Sequence, residues 1–211
     1  MNVLIKNIYT RIRKEILSNL VNRKTNIANL SIISMNCMGG IIYHDCNSKF
    51  LSPTINLYMS PSDFIKFVNN IRHYVECVPK IHMGDKFPIG EIDDITIYFM
   101  HYTTVEDAFN KWEIRKKRIN YDNIFVIMSE RDGFCKNDFI EFKKIKYPKI
   151  LFTRNDEFIC EDSVYLRKYR NLDEVPDIIS GRHMYYRMKI ADKINSLGDV
   201  YKNDKDKKRI I

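Results

Sequence analysis

The chain has 211 residues, 45% hydrophobic and 29% charged, which suits one large domain with short extensions and excludes a disordered or fibrous polymer. Its net charge of +8 sits at the two ends: residues 1–26 carry six Lys and Arg against one acid, and residues 201–211 carry five against two. The remaining stretch holds 24 basic and 24 acidic residues, so it lacks the basic face of a nucleic-acid-binding domain and no nucleic-acid partner is expected.

No stretch approaches 18 uninterrupted apolar residues, which argues against a transmembrane helix. The start lacks the apolar core and small-residue cleavage site of a secretory signal. Cys37, Cys46, Cys77, Cys135 and Cys160 are odd in number, widely spread and form no C-x-x-C pair. They read as reduced thiols of a cytoplasmic protein, not as a disulfide framework or zinc site. His44, His73, His82, His101 and His183 show no metal-ligand spacing, so no catalytic metal is expected.

In chain order, residues 2–22 place Val3, Leu4, Ile8, Ile12, Ile16, Leu17 and Leu20 at helical spacing, with Lys6, Arg11, Arg13 and Lys14 around them. A basic amphipathic helix and its linker are expected over 1–26. It suits packing on the domain or on a partner subunit, or docking on an anionic membrane surface. Leu30 to Ser34 reads as a strand running into a turn at Gly39-Gly40, and Ile55 to Met59 as a second strand. Ser60 caps a helix with Pro61 at its first position, continuing through Phe64, Ile65, Phe67, Val68 and Ile71 towards His73. Ile95 to Met100 is the clearest strand. Thr103 or Thr104 then caps a helix through Trp112 into Arg115-Lys116-Lys117-Arg118. A buried strand over 124–128, a helix over 136–144, strands at 150–152 and 163–166 and a helix over 184–197 complete the pattern, before a charged tail over 199–211. Strands alternating with helices, and strands apolar throughout, predict one α/β domain over 27–198. Its expected form is three-layer and Rossmann-like, a mainly parallel sheet with helices on both faces.

Three segments resemble a known family. They are Ser34-Met35-Asn36-Cys37-Met38-Gly39-Gly40; Phe87-Pro88-Ile89-Gly90-Glu91-Ile92-Asp93-Asp94-Ile95, leading to His101-Tyr102; and Trp112 to Ile119, Tyr121-Asp122-Asn123 and Ser129-Glu130-Arg131-Asp132-Gly133. In order and spacing they resemble the bacterial domain-of-unknown-function family numbered 1919, over about residues 29–170. Met38 departs from the bulky aromatic that typically follows the cysteine in that family. The resemblance implies a role in exopolysaccharide or capsular polysaccharide biosynthesis. It supplies no reaction.

Five constellations bear on chemistry. Asn36-Cys37-Met38-Gly39-Gly40 ends the first strand, where open α/β sheets bind ligands and glycines let the backbone turn closely. Cys37 there is a nucleophile, with Asn36 and the amides of Gly39 and Gly40 as an oxyanion site, or part of a substrate-binding turn, or a small residue packed in a tight turn. His101 follows the 95–100 strand, a position that suits a general base, a phosphate-binding imidazole or a structural histidine. His44, seven residues after Cys37, comes within its reach if the intervening segment is helical. Arg131 and Asp132 follow the 124–128 strand as an anion clamp or a plain Asp-Gly turn. Arg115, in its basic run, reads as a phosphate contact or a solvated helix end, and Asp93-Asp94 as a turn or cap.

The sequence-level expectation is therefore a catalytic pair of Cys37 and His101. Asn36, Gly39, Gly40, His44, Arg115, Arg131 and Asp132 are the expected substrate contacts. Three function classes stand: an acyl or other group transferase acting on a sugar-containing intermediate; a non-catalytic carbohydrate or nucleotide-sugar binding module; and a scaffold docked to a membrane glycosyltransferase through residues 1–22. No bound cofactor is required, and an acyl-coenzyme A or nucleotide-sugar donor fits the transferase. The expected location is the cytoplasm, peripheral to the inner face of the membrane.

Overall fold

The computed structural model describes residues 3–23, 25–176 and 189–196. Its elements in order are α1 (Val3–Val21), β1 (Ser31–Ser34), α2 (Met38–Asp45), α3 (Pro61–Asn69), α4 (Ile71–Glu76), β2 (Lys80–Met83), β3 (Pro88–Ile92), β4 (Ile95–Tyr98), α5 (Val105–Lys116), β5 (Ile124–Ser129), α6 (Lys136–Lys144), β6 (Lys149–Thr153) and β7 (Ser163–Tyr165). Residues 189–196 form a further helix. His183, residues 184–188 and 197 of the expected last helix, and the 199–211 tail lie outside the described residues.

The apolar runs pair as parallel strands in the order β1-β5-β6-β7. Ser34 stands opposite Ile127, and Ile127 opposite Ile150. Every residue of β1, β5 and β6 is buried, and their side chains alternate between two clusters. Ile33, Val126, Met128 and Leu151 join Phe64, Phe67, Trp112 and Phe142 on one side. Ile32, Phe125, Ile127, Ile150 and Phe152 join Met38, Ile42, Tyr43, Ile190 and Ile194 on the other. A strand buried on both faces has no polar side to show, which is why these runs do not alternate in sequence.

Three expectations change in three dimensions. The 95–100 strand is not part of the parallel sheet: β4 belongs to a separate antiparallel sheet ordered β2-β3-β4. Only Asp93 and Asp94 join Ile92 to Ile95, and a two-residue connection can link only antiparallel neighbours. Asp93 adopts a left-handed φ of 52° in that turn, which Asp tolerates. Residues 55–59 form no strand. Asn56 takes a φ of 63°, and the segment lies along β1 with the Ser34 N–H donating to Thr54 Oγ1 at 3.2 Å. Tyr58 alone makes a ladder contact, with Tyr98. The helix expected from Pro61 towards His73 splits at Asn70, whose φ of −134° and ψ of 43° are not helical.

The exits of β5 and β6 are tied by one buried carboxylate. Glu130 Oε2 accepts from the Arg154 N–H at 2.8 Å, the Asn155 N–H at 2.9 Å and the Thr153 hydroxyl, while Oε1 lies 3.2 Å from Arg154 Nε. Removing such a group leaves several buried donors and a guanidinium without their acceptor. Glu130→Ala is expected to lower unfolding free energy by about 3 kcal/mol, measured by urea denaturation. Retention of wild-type stability would show that this knot is solvated.

Candidate functional site

The connection from β1 to α2 is Met35-Asn36-Cys37, too short to move far from the strand end. Asn36 Oδ1 accepts from the Met38 N–H at 3.1 Å, and Ser34 Oγ accepts from the Gly39 N–H at 3.0 Å. These two side chains satisfy first-turn amides of α2 that otherwise lack partners. Cys37 holds the N-cap position without capping the helix through its side chain. Its Sγ lies 3.5 Å from His101 Nε2, across 64 residues of sequence. Cys37 is half-buried and His101 exposed.

His101 reaches Cys37 from the antiparallel sheet, through the exit of β4. The next residue, Tyr102, is buried and anchored. Arg115 Nη1 donates to the Ile55 carbonyl at 2.8 Å and to the Tyr102 hydroxyl. One guanidinium thus ties α5, the 52–59 segment and the residue beside His101. Arg115 is buried, neither a surface phosphate contact nor a solvated helix end. The basic run misled because charge alone does not show which way a helix faces.

Arg131 and Asp132 leave the next strand at the same edge. Arg131 Nε donates to Asp132 Oδ2 at 2.9 Å, and its Nη2 lies 3.5 Å from Glu174 Oε1. The Asp132 N–H donates to Glu174 Oε2 at 2.8 Å. Asp132 and Gly133 have φ of 58° and 85°, a turn that bends the backbone sharply at this point. Tyr58 stands near this pair: burial raises its hydroxyl pKa above the usual value, the Asp132 charge adds to the rise, and Arg131 opposes it. Its ring lies 5.5 Å from that of Tyr98. Neither Tyr58 nor Glu174 carried a sequence signal, since each joins the site only through distant pairing.

A further expected contact, His44, sits elsewhere, and Gly39 has another task. His44 is in the last turn of α2, about 10 Å along the axis from Cys37 at the helical rise per residue. It is exposed, and its Nδ1 lies 3.9 Å from Asp45. Gly39 lets α2 lie on β1: an added Cβ would fall 2.8 Å from Ser34 Oγ and 3.3 Å from Ile32 Cγ2. Its N–H already serves Ser34, so it is not directed at a ligand. At Gly40 an added Cβ would meet Ile55 at an ordinary 3.4 Å. Among the described residues no group of three or more His, Cys, Asp or Glu side chains could hold a metal ion.

What this edge offers is a thiol at a helix N-terminus in contact with an imidazole. The partial positive charge there favours a thiolate, and the imidazole can take its proton. The fold and edge together define an α/β protein with a cysteine–histidine pair at the carboxyl end of its parallel sheet. The chain belongs to the family described as Domain of unknown function (DUF1919), whose model matches residues 8–197. It is also 31% identical over 176 residues to an uncharacterized protein of Haemophilus influenzae (strain ATCC 51907 / DSM 11121 / KW20 / Rd), covering 82% of this chain and 85% of that protein.

Two outcomes are expected. Gly39→Ala should cost about 1–3 kcal/mol of stability through overpacking, whereas Gly40→Ala should be neutral or gain up to about 1 kcal/mol of helix propensity; thermal unfolding of both variants decides. In native alkylation with mass-spectrometric mapping, Cys37 should react well before Cys46, whose thiol is pushed up to about 11 by burial and by Asp45. Faster labelling of Cys46 would remove the case for a reactive Cys37.

Proposed function

We propose that the protein is a cytoplasmic group transferase of exopolysaccharide or capsular polysaccharide assembly, with Cys37 as nucleophile and His101 as base. The observation that carries this reading is the 3.5 Å contact between Cys37 Sγ and His101 Nε2 at the N-terminus of α2. The pathway rests on the resemblance of the three sequence segments. The alternation of sheet side chains between two clusters supports a three-layer, Rossmann-like arrangement, in which this edge is the usual ligand-binding side.

For an acyl-coenzyme A donor the steps balance as follows. His101 takes the thiol proton, the Cys37 thiolate attacks the donor carbonyl, and the coenzyme thiolate leaves and receives that proton. A sugar hydroxyl then loses its proton to His101 and attacks the acyl-cysteine. The ester forms, and Cys37 leaves as thiolate and recovers the proton. Arg131, oriented by Asp132 and Glu174, suits an anionic group on either substrate. Asn36 stays beside the nucleophile as the cap of α2. Gly39, His44 and Arg115 take no part.

The test is the acyl substitution of the surface polysaccharide in strains carrying variants at matched protein levels. Cys37→Ala and His101→Ala should each lower substitution by about 10²–10⁴-fold in rate. The double variant should lose little more than either alone, because the two act as a unit. Arg131→Lys should weaken substrate use without changing the product. Fully substituted polysaccharide from the double variant would defeat the transferase and leave a carbohydrate or nucleotide-sugar binding module in its place.

A further inference from the structure

A helix that packs on a domain turns apolar side chains inwards, but three described isoleucines of α1 face solvent. Ile8, Ile12 and Ile16 recur every four residues, and at about 100° per residue they form one stripe. Their exposures are 51%, 52% and 43%. Val21, nine residues beyond Ile12, falls on the opposite side by the same geometry and is 3% exposed. The end of α1 is fixed to the body on that side. Asn195 Nδ2 donates to the Leu20 carbonyl at 2.7 Å, and just past the helix Thr25 Oγ1 donates to the Ile194 carbonyl at 2.8 Å. The helix is therefore held by its last turns, with three isoleucines facing away from the domain.

Charge selects what covers such a stripe. Residues 1–26 carry six basic side chains and one acid, a net +5, while the rest of the chain up to residue 200 is balanced. Arg11 is exposed beside the stripe, between Ile8 and Ile12. A second copy of the chain would bring two +5 segments together, whereas an anionic lipid surface attracts each basic residue and accepts the apolar edge. No described helix is long and apolar enough to cross a membrane, so α1 would lie in the interface.

We propose that α1 docks on an anionic lipid surface through Ile8, Ile12 and Ile16, with Arg11 beside them facing the headgroups. The docking does not depend on the chemistry proposed for Cys37 and His101.

The test is sedimentation of the full chain with phosphatidylcholine vesicles, with and without phosphatidylglycerol, at low and high salt. Binding should be at least about tenfold stronger with phosphatidylglycerol, as several basic contacts each favour the anionic surface, and should weaken at high salt. Replacing all three isoleucines by serine should abolish binding with the melting temperature unchanged, and Arg11→Glu should weaken it. If the triple variant misfolds, Ile12→Ser alone serves and should weaken binding. Equal affinity for both vesicles, or full binding by the isoleucine variant, overturns the proposal. So does a stripe-dependent dimer in light scattering with no vesicle binding, or attachment only to vesicles that contain a membrane protein.

Discussion

Much of the molecule follows from the parallel pairing of β1 with β5, Ser31 opposite Ile124. Parallel neighbours cannot be joined by a hairpin, so the chain must travel out and return before the second strand is laid down. That excursion contains α2 to α5 and the whole antiparallel sheet. Because β1 and β5 run the same way, their ends open on one edge, and the excursion begins there with Asn36-Cys37. His101 lies inside it. The contact between Cys37 and His101 is thus a closure within a loop whose two ends the sheet has already clamped.

The groups around that edge are largely engaged with one another. Ser34 and Asn36 hold the first turn of α2, Glu130 binds the exits of β5 and β6, and Arg115 secures Tyr102 against the Ile55 carbonyl. Buried polar groups need such partners, since each one lost costs more than the bond returns. The result is a scaffold that fixes the backbone on either side of Cys37 and His101. Arg131 is held similarly, between Asp132 and Glu174, which fixes the direction of its guanidinium.

The sequence points to some of these residues but not to their roles. Gly39 read as an amide donor to an anion, whereas it is a close-packing glycine whose Cβ would meet Ser34. Arg115 read as a surface cation, whereas it is a buried tie. In both cases the residue type was informative and its direction was not. Direction depends on which neighbour the element packs against, and no local pattern contains that neighbour.

The sequence by itself determined the α/β class, the extents of α6 and β5 to within a residue, the Ser60 cap, a threonine cap at 103 or 104, and the concentration of charge at the ends. These depend on periodicity and on short-range hydrogen bonds, which act within a few residues. Tertiary structure alone decided that Ile95–Tyr98 joins a second sheet, that Asn56 breaks the expected 55–59 strand, and that His101 approaches Cys37 from that second sheet while His44 is carried away from it. Those outcomes turn on a two-residue hairpin, one left-handed backbone angle and the register of distant strands. His44, seven residues away in sequence, is carried off by its own helix, while His101, 64 residues away, is returned by the sheet.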